Sequence, residues 1–141
     1  MRTSTLVLTA LCLSMGACVR PRLAEPGPTR KEEAELNVVR AYYAAINAKN
    51  QAALSNLLAE NIKVTAGQNS WGKATELTNR LEWWTRDPKY SVEIKSVTLQ
   101  GGIIKARVLV TYMSHGALGS QEIENTFTVQ NRQIVQAILS H

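Results

Sequence analysis

The sequence predicts an α+β domain: three N-terminal helices packed in a curved antiparallel sheet, a cone-like α+β barrel. Three observations lead there. Apolar residues recur at helical spacing through the first part of the chain, then alternate strictly from Tyr90 onward, and helices followed by a run of strands is the α+β pattern. Within the strands, Tyr90, Val92 and Ile94 share one parity while Val97 and Leu99 take the other. That slip of phase marks a β-bulge near Lys95-Ser96, and a bulge bends its strand. Finally, 141 residues at 45% hydrophobic fill one core and leave little chain for a second domain.

The elements follow in order. Residues 19–28 hold Pro21, Pro26, Gly27 and Pro28 and read as a semi-extended tether. Thr29 and Glu32 have capping-box spacing, and Glu32, Glu33 and Glu35 fill the first turns of a helix, where its dipole favours acids. Leu36, Val39, Tyr43 and Ile46 form its apolar stripe. Asn50 is suited to cap a second helix carrying Leu54, Leu57 and Leu58. Ile62 and Val64 begin a short strand ending at Gly67. Trp71-Gly72-Lys73 leads into a third helix with Leu77, Leu81 and Trp84 on one stripe, stopped by Asp87-Pro88. After the bulged strand, Gly101-Gly102 makes a tight hairpin turn. Ile104, Ala106, Val108, Val110 and Tyr112 then line one face of a strand, and residues 114–119 form a loop. Ile123, Phe127 and Val129 line the next strand, and Asn131-Arg132 turns into the last, Gln133 to Leu139.

Composition excludes several functions. Two histidines and two cysteines cannot build a familiar metal cluster, so no metal or other cofactor is expected. The net charge of +5 does not belong to the domain: residues 32–141 carry 11 basic and 10 acidic side chains, whereas Arg20, Arg22, Arg30 and Lys31 crowd the tether. A nucleic-acid partner requires a basic folded face, and this chain lacks one in its sequence pattern. A basic tether suits an anionic lipid surface instead.

The start of the chain explains both cysteines. Arg2, an apolar run over residues 6–15 and small residues after it make a signal peptide, 1–17, because ten apolar residues are far too few to span a bilayer. Met15-Gly16-Ala17-Cys18 resembles the lipobox of bacterial lipoproteins. That resemblance implies acylation of Cys18, by palmitate or a similar chain, a lipidated tether over residues 18–31, and a folded domain over 32–141. Val19 stands where an inner-membrane retention Asp would be, so an outer-membrane lipoprotein facing the periplasm is expected. Ordinary cleavage near Ala17, giving a secreted or periplasmic protein, is the alternative.

Arg40, Tyr42-Tyr43, Ile46-Asn47, Asn50, then Leu57-Leu58-Ala59-Glu60-Asn61 and Val64, with Gly72 before the third helix, resemble the nuclear transport factor 2-like superfamily over residues 32–141. The superfamily includes SnoaL-like cyclases, ketosteroid isomerases and many non-enzymes. It implies a cone with a pocket between helices and sheet. Carried over residue by residue, the isomerase site puts an oxyanion donor at Tyr42 and, on a looser alignment, a second near Asn125. Its base falls at Thr65-Ala66, neither of which accepts a proton from carbon near neutral pH. Epoxide hydrolases of the superfamily use an Asp–Arg–Asp set, and this chain has a single aspartate, Asp87.

The candidate site therefore comprises Tyr42, Trp71, Trp84 and Asn125, bordering a pocket for a small, mostly apolar ligand, with no catalytic residue assigned. Asn125 alternates in phase with Ile123, Phe127 and Val129 and should point inward, where an amide needs partners. Tyr43 belongs to the core stripe, and Tyr42 lies about 100° round the helix from it. Trp83 shares a polar face with Glu76 and Arg80. Glu122, Glu124, Thr126 and Thr128 make an outer sheet face suited to solvent or a homodimer. The expected function is a non-enzymatic, lipid-anchored binding domain. An interaction module with a self-filled pocket is the alternative, and a less favoured one is an isomerase or cyclase using Glu82 or His115.

Overall fold

The computed structural model describes residues 27–140; Cys18, the signal segment, most of the tether and His141 lie outside them. Helix α1 (Arg30–Ala48) starts inside the stretch assigned to the tether, and both halves of its capping box form. Thr29 Oγ1 accepts from the Glu32 amide at 3.1 Å, and the Thr29 amide donates to Glu32 Oε1 at 3.4 Å. Lys49 ends the helix in the left-handed region, φ 54°. Asn50 then caps α2 (Gln51–Leu57) by accepting from the Ala53 amide at 3.0 Å.

Strand β1 (Leu58–Ala66) begins directly after α2, and β2 (Asn69–Trp71) folds back on it with Val64 opposite Trp71. Trp71 therefore ends a short strand before the third helix begins. Helix α3 (Lys73–Arg86) follows. The remaining strands are β3 (Ser91–Gln100), β4 (Ile103–Ser114), β5 (Ala117–Gln130) and β6 (Gln133–Leu139). They form one sheet in the order β2-β1-β6-β5-β4-β3. The α+β cone with its helices toward the N-terminus is as the sequence predicts. One pairing differs: β1 runs parallel to β6, so the sheet is mixed. Alternation tells which face a strand buries but not which neighbour it takes, and the long connection through α3 permits a parallel partner.

The β3–β4 register shifts between Ile94 and Ser96, which is the bulge inferred from phase. Further shifts occur in the β1–β6 and β5–β6 ladders, and together they curl the sheet around α1. The β4–β5 hairpin is longer than expected, pairing up to Ser114 opposite Ala117. His115 and Gly116 turn it with φ of 51° and 80°. A non-glycine residue at positive φ is uncommon, which is why the sequence reads there as a loop.

The core lies between α1 and the concave face of the sheet. Leu36, Val39 and Ile46 pack against Ile104, Ala106, Val108, Phe127 and Ile134, all buried. Tyr42, Tyr43 and Phe127 meet edge to face at centroid distances of 5.1, 5.3 and 5.9 Å, each pair adding about 0.5–1.5 kcal/mol beyond burial.

Helix α3 departs from its predicted orientation. Leu81, expected in the apolar stripe, is 49% exposed, whereas Glu76 is only 2% exposed. Arg80 turns inward with it, the side chain 13% exposed. Trp84 keeps its core position. A count of apolar positions cannot register that two opposite charges four residues apart neutralise each other and turn inward as a unit.

Candidate functional site

Two cavities meet inside the cone. An inner chamber of about 130 Å³ lies between α1, α3 and the sheet, with Tyr43, Trp71, Glu76, Arg80 and Asn125 among its walls. A wider vestibule of about 500 Å³ opens outward past Tyr112, Met113 and Gln121. Trp83, Tyr90, Val110, Ile123 and Ser140 belong to both walls.

The inner chamber contains two hydrogen-bonded groups. In the first, Arg80 Nε donates to Glu76 Oε1 at 2.8 Å, Trp71 Nε1 donates to Glu76 Oε2 at 2.6 Å, and Arg80 Nη2 donates to the Tyr42 hydroxyl at 2.8 Å. Each Glu76 oxygen thus already accepts a hydrogen bond. Burial works against the charge on Arg80, but Tyr42 and Glu76 beside it more than offset this, and the guanidinium stays charged. Burial pushes the Tyr42 hydroxyl up to about 12, and burial likewise raises Tyr43. Both are neutral donors near neutral pH.

In the second group, Asn125 Nδ2 donates to the Tyr43 hydroxyl at 2.8 Å, and Asn125 Oδ1 accepts the Ser140 amide at 2.8 Å. Asn125 faces Ala106 across the β4–β5 ladder and is 5% exposed. Its inward phase, read from alternation, is as expected. These bonds fix the amide orientation and engage its only acceptor. Donors with capacity for a guest are the Tyr43 O–H, the second Asn125 amide hydrogen and the remaining Arg80 hydrogens, and Asn79 in the same wall adds an amide that can donate or accept.

Of the residues singled out in the sequence, Trp71 and Asn125 are in the chamber wall. Tyr42 is not: it stands behind Arg80, and Tyr43, assigned to the core stripe, takes the wall position. Adjacent tyrosines on one helix are both buried here, so spacing alone could not rank them. Trp84 is packed in the core away from both cavities, with its indole N–H unpartnered among the described residues. Ala66, one of the two residues at the carried-over base position, offers the chamber a methyl group. Thr65 is bonded to Ser70 at 3.2 Å. Glu82 and His115 are exposed and line neither cavity. Asp87 borders the vestibule. The residues missed were Glu76 and Arg80. Their signal was an i,i+4 pair of opposite charges on the face shared with Trp83, an aromatic too large to leave in solvent without reason.

No protein-family model matches the sequence, nor does any curated protein. Solved structures do match. An LEH-like epoxide hydrolase of M. tuberculosis aligns at TM-score 0.68 and 13% identity, covering 77% of this chain and 82% of that one. A candidate polyketide cyclase of Xanthomonas campestris aligns at TM-score 0.66 and 19% identity, covering 77% and 90%. A Catenulispora acidiphila protein with a ketosteroid isomerase-like fold, in complex with trimethylamine, aligns at 0.65 and 14%, covering 72% and 82%. The chain therefore has the nuclear transport factor 2-like fold, on which many unrelated functions are built.

Proposed function

We propose that this protein is a lipid-anchored envelope domain that binds a small, uncharged, mostly apolar molecule in its cone and performs no chemistry on it. One observation carries the binding half: the inner chamber presents unengaged donors, while its charged groups, Glu76 and Arg80, are paired with each other. The vestibule is balanced too, by Arg86 and Asp87. A guest with a net charge would upset a neutral, partly buried site, whereas a carbonyl or ether oxygen would meet several donors. The absence of turnover is supported by the methyl of Ala66 at the carried-over base position and by the ion pair that holds the Glu76 carboxylate against Arg80. The anchoring half rests on Met15-Gly16-Ala17-Cys18 and the basic tether, and Val19, in the position of an inner-membrane retention Asp, favours the outer membrane facing the periplasm.

A second reading, an interaction module pairing through its sheet, is favoured by one specific observation. Asn125 bonds the backbone amide of Ser140, so it has a structural task without any ligand. Native mass spectrometry of protein extracted gently from its own membranes separates the readings. The binding domain gives a non-covalent adduct that disappears on denaturation, and a denatured mass increased by the acyl chains on Cys18. Bare subunits alone would end the binding reading, and bare dimers would establish the second one. A denatured mass without lipid would remove the anchor.

A further inference from the structure

Resting on that binding reading, we propose that Trp83 and Tyr90 form a fixed neck that selects the ligand by the width of its leading group. A head about as wide as one six-membered ring, bearing the acceptor, passes to Asn125 and Tyr43. Anything broader stays in the vestibule. Five residues are common to the two cavity walls, and among them the Trp83 and Tyr90 rings meet edge to face at 5.6 Å and 83°. Val110 and Ile123 stand in both walls from the sheet side. The chamber behind, about 130 Å³, compares with the roughly 150 Å³ apolar cavity that admits benzene.

The turn between these two aromatics is tied on three sides, which makes the neck a passive filter rather than a lid. The Asp87 amide closes the last turn of α3 on the Trp83 carbonyl at 2.8 Å, and the Tyr90 amide donates to the Asp87 carbonyl at 3.2 Å. The Asp87 carboxylate accepts the Lys89 amide at 3.2 Å and, from strand β4, the Met113 amide at 3.0 Å. Lys49, at the end of α1, donates to the Pro88 carbonyl at 3.2 Å. The sole aspartate of the chain is thus a brace for the neck.

Two uncharged ketones of different width test this, followed by NMR on the Asn125 side-chain amide inside and the Met113 methyl in the vestibule. In the wild type, cyclohexanone shifts the Asn125 signal, whereas the fused bicyclic 2-decalone shifts Met113 alone. In Trp83→Ala and Tyr90→Ala, 2-decalone reaches Asn125 and binds about tenfold more tightly than to the wild type, as expected when its second ring gains burial. Trp83 is 48% exposed, so its truncation leaves the core intact; the amide spectrum of each variant checks the fold. If the wild type already admits 2-decalone to Asn125 as readily as cyclohexanone, the neck is refuted and the binding reading stands. If neither ketone moves the Asn125 signal in any of the three proteins, the binding reading falls and takes the neck with it.

Discussion

Glu76 and Arg80 are the residues on which the interior depends most. A buried carboxylate alone would be costly, and so would a buried guanidinium, but paired and bonded to Trp71 and Tyr42 they leave few unsatisfied atoms. Removing one partner exposes the cost of the other. Glu76→Ala is expected to lower stability by about 3–5 kcal/mol in urea unfolding, since Arg80 then remains charged and largely buried. Replacing both, as Glu76→Leu with Arg80→Met, should recover part of that loss, because it removes the buried charge but leaves the Tyr42 hydroxyl and the Trp71 indole N–H without their partners. An equal or greater loss in the double variant would mean that the pair stabilises the fold in its own right. At this scale Asn125 was legible in the sequence, as strand parity sends a side chain in or out without regard to its chemistry. Glu76 was not, because the periodicity of a helix is read from apolar residues and an inward ion pair inverts the signal.

At the level of elements, local signals were sufficient wherever the physics is local. The Thr29–Glu32 capping box, the Asn50 cap and the bulge at Lys95 each follow from a few neighbouring residues, and each is present. The Gly101-Gly102 hairpin is another such case, with both residues at positive φ, 58° and 79°. A methyl group at Gly102 would meet nothing within 4 Å, so Gly102→Ala isolates the backbone cost of the left-handed conformation. We expect a loss of about 1–2 kcal/mol, seen as a lower urea midpoint with unchanged slope. No loss would mean that the turn relaxes to another type. The parallel β1–β6 pairing was not legible for the opposite reason. It joins the first strand of the sheet to the last, far apart along the chain, and nothing within either strand names its partner.

At the scale of the whole molecule, the fold sets a small chamber behind a wider mouth and puts one acid and one arginine in the wall of each. The sequence indicated the cone and its pocket through the resemblance it carries, but not the subdivision into chamber and vestibule. That division comes from Trp83 on α3 and Tyr90 before β3, which are brought edge to face by the turn at Asp87-Pro88. Charge balance likewise exists only in three dimensions, since the sequence gives totals and not which charges meet.

The chemistry of the chamber wall decides which guest it holds, and one titration reads that chemistry. Cyclohexanone, methylenecyclohexane and cyclohexanecarboxylate share a ring and differ in presenting a neutral acceptor, no oxygen, or a charge. Followed by NMR at the Asn125 side-chain amide, cyclohexanone should bind about tenfold more tightly than methylenecyclohexane, the worth of one good hydrogen bond in a partly dry site. The carboxylate should bind more weakly than the ketone. Equal affinities for the ketone and the hydrocarbon, or tightest binding by the carboxylate, would contradict an uncharged, acceptor-bearing ligand held by Tyr43, Arg80 and Asn125.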